Sequence, residues 1–329
     1  MSNKPIYKLH HYFSIKDINN YDKWAFLSKN PKAIEILKEN FENINWYALS
    51  MNESYEAIEL LKENKNEIDW YYLSSNPYAM ELLKDNLNFI DWSKLSYNTS
   101  AISLLKKHKD LINWSNLSEN TRAVELLREN KDKINWSRLC NNRSKEAIEL
   151  LKENKDKIDW RILSVNEYAM ELLLENQDLI NWTSLSLNEN DKALELLSKK
   201  KSKINWNNLH YNENPKAIEI ISLNPDKICW NVLSLNKYAI PILKDNPDKI
   251  NWYLFSLNPS LMELLTEKNK INLTGIVYKN PAIFIYDYKK METNFLNITE
   301  DIIKEVMKPA RIFRNIELYN YDIDDMFIF

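Results

Sequence analysis

The chain has 329 residues, 44% of them hydrophobic and 28% charged, with a net charge of −3. Those proportions suit a folded, soluble chain and give no global reason to expect nucleic acid or an anionic membrane as partner. No apolar run approaches the roughly 20 residues needed to span a bilayer, and the first twelve residues lack the apolar core of a secretory signal.

Residues 1–21 do not fit the pattern that follows and are expected to form an N-terminal cap. His10 and His11 lie here with no Cys or acidic partner at ligand spacing, so no metal site is assigned. From residue 22 to 270 the chain is periodic. Trp24, Trp46, Trp70, Trp92, Trp114, Trp136, Trp160, Trp182, Trp206, Trp230 and Trp252 follow one another at intervals of 22 or 24 residues. The copies align as I-[ND]-W-x-x-L-S-x-N-P-x-A-I-E-L-L-K-E-N-x-D-K. So small a unit cannot bury its apolar face alone and must stack on its neighbours. The period predicts an all-α solenoid of eleven to twelve helical hairpin repeats of 22–24 residues, with atypical capping segments at both ends. At helix spacings of about 8–10 Å the array would be on the order of 100 Å in contour, curved into a superhelix with one concave face.

Within a unit, Asn or Asp precedes nine of the eleven tryptophans and suits an N-cap of a short helix. Trp and the Leu three positions on share one face of it, so the tryptophans are expected to be buried pins of the core. The second helix opens at Asn30-Pro31-Lys32-Ala33, with Asn as N-cap and Pro in the first helical position. Ala33, Ile34, Ile36 and Leu37 form its apolar stripe, and Asn40 is expected as a left-handed C-cap in a chain with one glycine. In the 24-residue units the two extra residues enter before the Ala, and Ser54, Ser144, Asn190 and Asn214 take over the capping. The Asn six positions after Trp nevertheless persists in every copy: Asn30, Asn52, Asn76, Asn98, Asn120, Asn142, Asn166, Asn188, Asn212, Asn236 and Asn258. Capping does not account for this, and a structural ladder of amides along one edge is expected.

Beyond Trp252 the pattern decays, with Phe255 in place of Leu and Leu261 in place of Ala. Residues 271–329 are expected to hold a degenerate twelfth repeat, which keeps Asn280-Pro281-Ala282-Ile283, then capping helices from Thr299 to Tyr319. An acidic, then apolar, tail runs from Asp322 to Phe329.

The unit I-[ND]-W-x-x-L-S-x-N-P-x-A-I-E-L-L-K-E-N resembles tryptophan-bearing repeats of uncharacterised proteins from giant DNA viruses of the mimivirus type. The stretch from Asn280 to Tyr288 and the segment with Pro309 resemble the end of such proteins. The resemblance covers roughly residues 20 to 315 and implies a viral protein made in host cytoplasm, in accord with the Asn-, Lys- and Ile-rich composition of an AT-rich genome. It brings no activity with it.

No catalytic constellation emerges. One glycine precludes a Gly-rich phosphate loop, and no Ser-His-Asp, Cys-His or zinc spacing is present. Cys140 and Cys229 stand in different repeats and different slots, and read as reduced thiols of a cytosolic compartment. No enzyme activity and no cofactor are expected. The varied positions are the two residues after each Trp, and Tyr47, Tyr71, Tyr72, Lys94, Asn116, Arg138, Arg161, Asn208 and Tyr253 are candidate partner-binding residues there. The expectation is a protein–protein interaction scaffold with an unknown host or viral protein as partner. Self-assembly as a virion or viral-factory component is the alternative. RNA binding is weaker, for want of a basic stripe.

Overall fold

The computed structural model describes residues 5–15, 21–266, 268–269, 273 and 275–293. The expected capping helices and tail beyond residue 293 lie outside the described residues. What is described is mostly helical, with one two-stranded sheet, and no described helix is long and apolar enough to cross a membrane.

Each tryptophan after Trp24 opens a helix of four to six residues, as in Trp92–Tyr97 and Trp114–Leu117. The preceding Asn or Asp caps it through its side chain: Asp91 Oδ1 accepts from Lys94 N at 2.7 Å and Asn113 Oδ1 from Asn116 N at 3.0 Å. Before Trp230 stands Cys229, which makes no side-chain cap. Helices this short hold through packing rather than propensity. The residue three after each Trp supplies it, from Leu27 through Leu117 and Leu139 to Phe255, every one 0% exposed. The tryptophans are less buried than the sequence suggests. Trp24 is buried, but the other ten are half-buried and pack against the rim of the core. Their outer faces are covered by the connection to the next unit: Phe89 stacks on Trp70 at 5.0 Å, and Lys133 sits 4.7 Å over Trp114.

The second helix takes two forms. In the 24-residue units it is one α-helix, as in Tyr55–Glu63, Lys145–Lys152, Asp191–Lys199 and Pro215–Ser222, capped by Ser54, Ser144, Asn190 and Asn214. In 22-residue units such as Pro31–Ala33 followed by Ile34–Glu39, the Asn-Pro cap opens a tight 3-10 turn and the α-helix starts at its end. Two more residues thus give room for a full helical turn. A further 3-10 helix, absent from the sequence reading, links each unit to the next, for example Phe41–Asn43 or Lys131–Lys133. The left-handed C-cap is a correction. Asn40 sits at φ −133°, ψ 51°, and its side-chain amide donates to Ile36 O at 2.8 Å. The amide satisfies the end of the helix itself, so no positive φ is needed.

Two rows of buried polar bonds tie successive units together. In the first, the residue four after Trp, usually Ser, accepts from the backbone N–H that precedes the next Trp. Asn113 N donates to Ser96 Oγ at 3.0 Å and Asn135 N to Ser118 Oγ at 3.0 Å, while Ser96 and Ser118 donate to the carbonyls of Trp92 and Trp114. In the second, each Asn amide reaches back one unit. Asn120 Nδ2 donates to Ser96 O and Asn98 O, both at 3.1 Å, and Asn142 Nδ2 to Ser118 O and Asn120 O, both at 3.0 Å. Each Asn Oδ1 in turn accepts locally, as from Arg122 N at 3.0 Å. Buried groups with all partners supplied are stabilising, whereas the same groups unpaired are costly. Asn280 continues the second row with bonds of 3.0 and 2.8 Å to Ser256 O and Asn258 O.

The two ends of the array meet. The helix Tyr21–Lys29 packs on Trp46–Ser50 on one side and on the 3-10 helix Gly275–Lys279 on the other. Strand β1 (Tyr7–Leu9) pairs antiparallel with β2 (Phe284–Tyr286), Tyr7 opposite Tyr286 and Leu9 opposite Phe284. Lys23 lies over Tyr278, Lys279 lies over Phe26, and Lys32 Nζ donates to Pro281 O at 3.3 Å. Lys290 forms ion pairs with Glu35 at 3.1 Å and Glu39 at 3.0 Å, and Lys8 with Asp287 at 3.4 Å. The ends expected to carry separate covers therefore cover each other. The junction is less complete than the internal interfaces: Asn30 Nδ2, in a residue 3% exposed, has no hydrogen-bond partner among the described residues.

Candidate functional site

The residues after the tryptophans divide into two kinds by position on the short helix. The first is exposed in nearly every unit: Tyr47, Tyr71 and Tyr253 are 47%, 46% and 53% exposed, and Ser93, Ser137, Arg161, Thr183, Asn207 and Asn231 are also open to solvent. The second is half-buried in nine of the ten units from Trp46 to Trp252, Ala48 being buried, and in four of them it touches the first residue of the preceding unit. Tyr72 OH bonds Tyr47 OH at 2.9 Å, and Asn116 Nδ2 donates to Ser93 O and Oγ at 2.9 Å. Asn208 Nδ2 likewise donates to Thr183 O at 2.8 Å. Lys94 Nζ lies 4.5 Å over the Tyr71 ring, and a side-chain hydrogen bond with Tyr71 raises its pKa above the usual lysine value. Arg138 bonds the Tyr97 hydroxyl and pairs with Glu119 at 3.5 Å.

Among the candidates, Tyr72, Lys94, Asn116, Arg138 and Asn208 are thus bridges between units. Tyr47, Tyr71, Arg161 and Tyr253 present the open row. Tyr47, Tyr71, Tyr72 and Lys94 form one cluster: the Tyr71 and Tyr72 rings are 4.9 Å apart and those of Tyr47 and Tyr72 4.6 Å, both edge to face. Of the twenty residues in the two slots from Tyr47 to Leu254, none is acidic and three are basic, in a chain that is 28% charged. These slots are depleted of charge and rich in Tyr, Ser and Asn.

The outer surface is different. A groove between second helices is floored by Ile148 and Met170, walled by Tyr168 and rimmed by Lys152, Glu149 and Lys192. It forms where a 22-residue unit follows a 24-residue one, at the step from a longer to a shorter second helix. Tyr78, Tyr168 and Tyr238 stand at the three such steps, each in the shorter unit. At the first, Tyr55 packs edge to face on Tyr78 at 4.8 Å. Sequence spacing carried this signal, since each of these tyrosines lies eight residues after a Trp that follows a 24-residue interval.

Three other polar sites are structural. Cys140 occupies the buried Ser slot, where desolvation pushes its thiol up to about 11, and Cys229 is half-buried; both are free. A thiol shifted upward in this way holds little thiolate at neutral pH. His210 fills the same slot in another unit. Its Nδ1 faces Trp206 O, which fixes the proton there, and its Nε2 accepts from Cys229 N at 2.9 Å. Burial lowers its pKa and keeps the ring neutral. The His10 and His11 rings are 4.1 Å apart, and no cluster of three metal-ligating residues exists among the described residues. Comparison with protein-family models, curated proteins and solved structures finds no match to the chain.

Proposed function

We propose that the chain is a closed ring of twelve hairpin units that acts as a non-catalytic protein-binding scaffold, with the open row after the tryptophans as its binding face. The observation that carries the reading is the separation of the two slots. In five of the ten units from Trp46 to Trp252 the second residue bridges to a neighbouring unit, and in nine of them the first is exposed and varies in type. Rigid presentation of variable side chains is what a recognition surface requires.

The reading takes the array to bend with the tryptophan helices inside, where Trp70–Ser75, Trp92–Tyr97 and Trp114–Leu117 pack directly on one another in sequence. Arg138 also reaches across an intervening unit to Tyr97, as converging side chains on an inner arc can. The buried polar groups of the interior are committed to the two rows of inter-unit bonds, which suits a scaffold. The test is partner capture by the full chain carrying Tyr47→Ser, Tyr71→Ser and Arg161→Ser, beside an outer control with Tyr55→Ser and Tyr168→Ser. The reading expects partners to be lost from the first and kept by the second; the reverse pattern overturns it.

A further inference from the structure

Resting on that reading of the binding face, we propose that the ring takes a low-charge, extended polypeptide segment threaded through its opening. Twelve inner helices spaced about 8–10 Å apart make a circle about 30–38 Å across at their axes. Helix radii of about 5–6 Å with side chains then leave an opening on the order of 20–25 Å. A single extended chain passes through it with its side chains, whereas a small domain, about 30 Å across, does not.

Charge selects among the linear polymers that fit. A nucleic acid duplex carries about one negative charge per 1.7 Å of its axis, so a stretch of about 20 Å would bring roughly twelve phosphates into the ring. The two interior slots offer only Lys94, Arg138 and Arg161. Two of those are already engaged, Lys94 by Tyr71 and Arg138 by Glu119 and Tyr97. A basic segment is disfavoured as well, because the same slots hold no carboxylate. Arg161 is exposed, and its guanidinium makes no hydrogen bond or ion pair among the described residues. It calls for an isolated carboxylate on an otherwise neutral segment. The remaining interior groups are hydroxyls and amides, among them Ser137, Thr183 and Asn207, beside the tyrosines. Such groups pair with the free N–H and C=O groups of an extended backbone; a helix has already satisfied its own.

Closure gives the test. Tyr7 and Tyr286 face each other at a position between ladder bonds, since Asp287 N donates to Ile6 O at 2.8 Å and His10 N to Ile283 O at 2.7 Å on either side. Such pairs have Cα atoms about 4.5 Å apart, within the span of a disulfide. A display library of random sixteen-residue peptides is selected on the full chain, and the best peptide is fused between two folded domains. Selected peptides are expected to be poor in Lys and Arg, to carry one or two carboxylates, and to lose at least tenfold in affinity with Tyr71→Ser plus Arg161→Ser. In the Tyr7→Cys, Tyr286→Cys chain, oxidation after loading is expected to slow release of the doubly flanked peptide at least a hundredfold, and oxidation before loading to block its entry. Release unchanged by oxidation overturns threading while leaving the binding face standing. Peptides indifferent to Tyr71 and Arg161 overturn the binding face itself. Displacement by poly(U) with steep salt dependence makes nucleic acid the occupant and also overturns the proposal.

Discussion

Substituting Asn120 by Ala removes three hydrogen bonds at once. Its amide donates to Ser96 O and Asn98 O, both at 3.1 Å, and its Oδ1 accepts from Arg122 N at 3.0 Å, all in a residue 2% exposed. A net contribution near 1 kcal/mol for each bond gives about 3 kcal/mol; Asn98 O keeps its bond from Ala101 N at 3.0 Å, and loss of the donor to the buried Ser96 carbonyl raises the cost to about 3–4 kcal/mol. Asn30 is the internal control. It stands in the same slot at the seam, but its Nδ2 has no partner among the described residues, and only the cap to Lys32 N at 3.1 Å is lost. Asn30→Ala should cost about 1 kcal/mol or less, since loss of the cap is partly offset by removal of an unpaired buried amide. Urea unfolding followed by tryptophan fluorescence reads both. If the two substitutions cost the same within about 0.5 kcal/mol, the inter-unit bonds contribute nothing beyond local capping, and the reasoning fails.

His210 has a folded-state pKa depressed by burial below its unfolded value of 6.5. Its contribution to stability is therefore present above that unfolded value and is lost as pH falls through the folded one. His210→Ser, which restores the usual residue, should flatten the decline in melting temperature between pH 7.5 and 5; an unchanged decline assigns it to other groups. With its thiol pushed up to about 11, Cys140 should resist alkylation at pH 7.5 until the chain unfolds, while half-buried Cys229 reacts in the folded state; mass mapping of the adducts decides it. Lys290→Glu exchanges two ion pairs for repulsion against Glu35 and Glu39. Exposed pairs contribute about 0–1 kcal/mol, so hydrogen exchange in Tyr7–Leu9 should quicken severalfold with little change in the global urea midpoint. Equal protection in both chains would mean that the pairs do not hold the seam.

The repeated unit was legible because its determinants are local. The Asn or Asp before Trp, the Ser or Asn three before Ala, and the Leu after each Trp report caps and core directly. Two things were not. The Ser of each unit was visible as a recurring letter, but its bond runs 17 to 19 residues onward, to the next unit, and spacing does not reveal that partner. The meeting of the ends depends on a small rotation accumulated over the whole array, which no single unit encodes. The opening and closing segments looked like poor repeats because each is built to fit the other. At the candidate site, the two varied residues looked alike in sequence. Only the helix phase separates Tyr71, which faces solvent, from Tyr72, which turns to Tyr47.

An open solenoid can lengthen or shorten by whole units, each copy contacting only its neighbours. The paired strands at the junction forbid this. Gaining or losing one unit would displace the first helix from the last by about 8–10 Å, while β1 and β2 cannot slip by even one residue without exchanging their faces. A duplication within the gene would therefore have to be matched by a small change of curvature at every other interface. Unit number is set by geometry and not by the length of what is bound, so related chains should diversify in their exposed side chains while keeping the count.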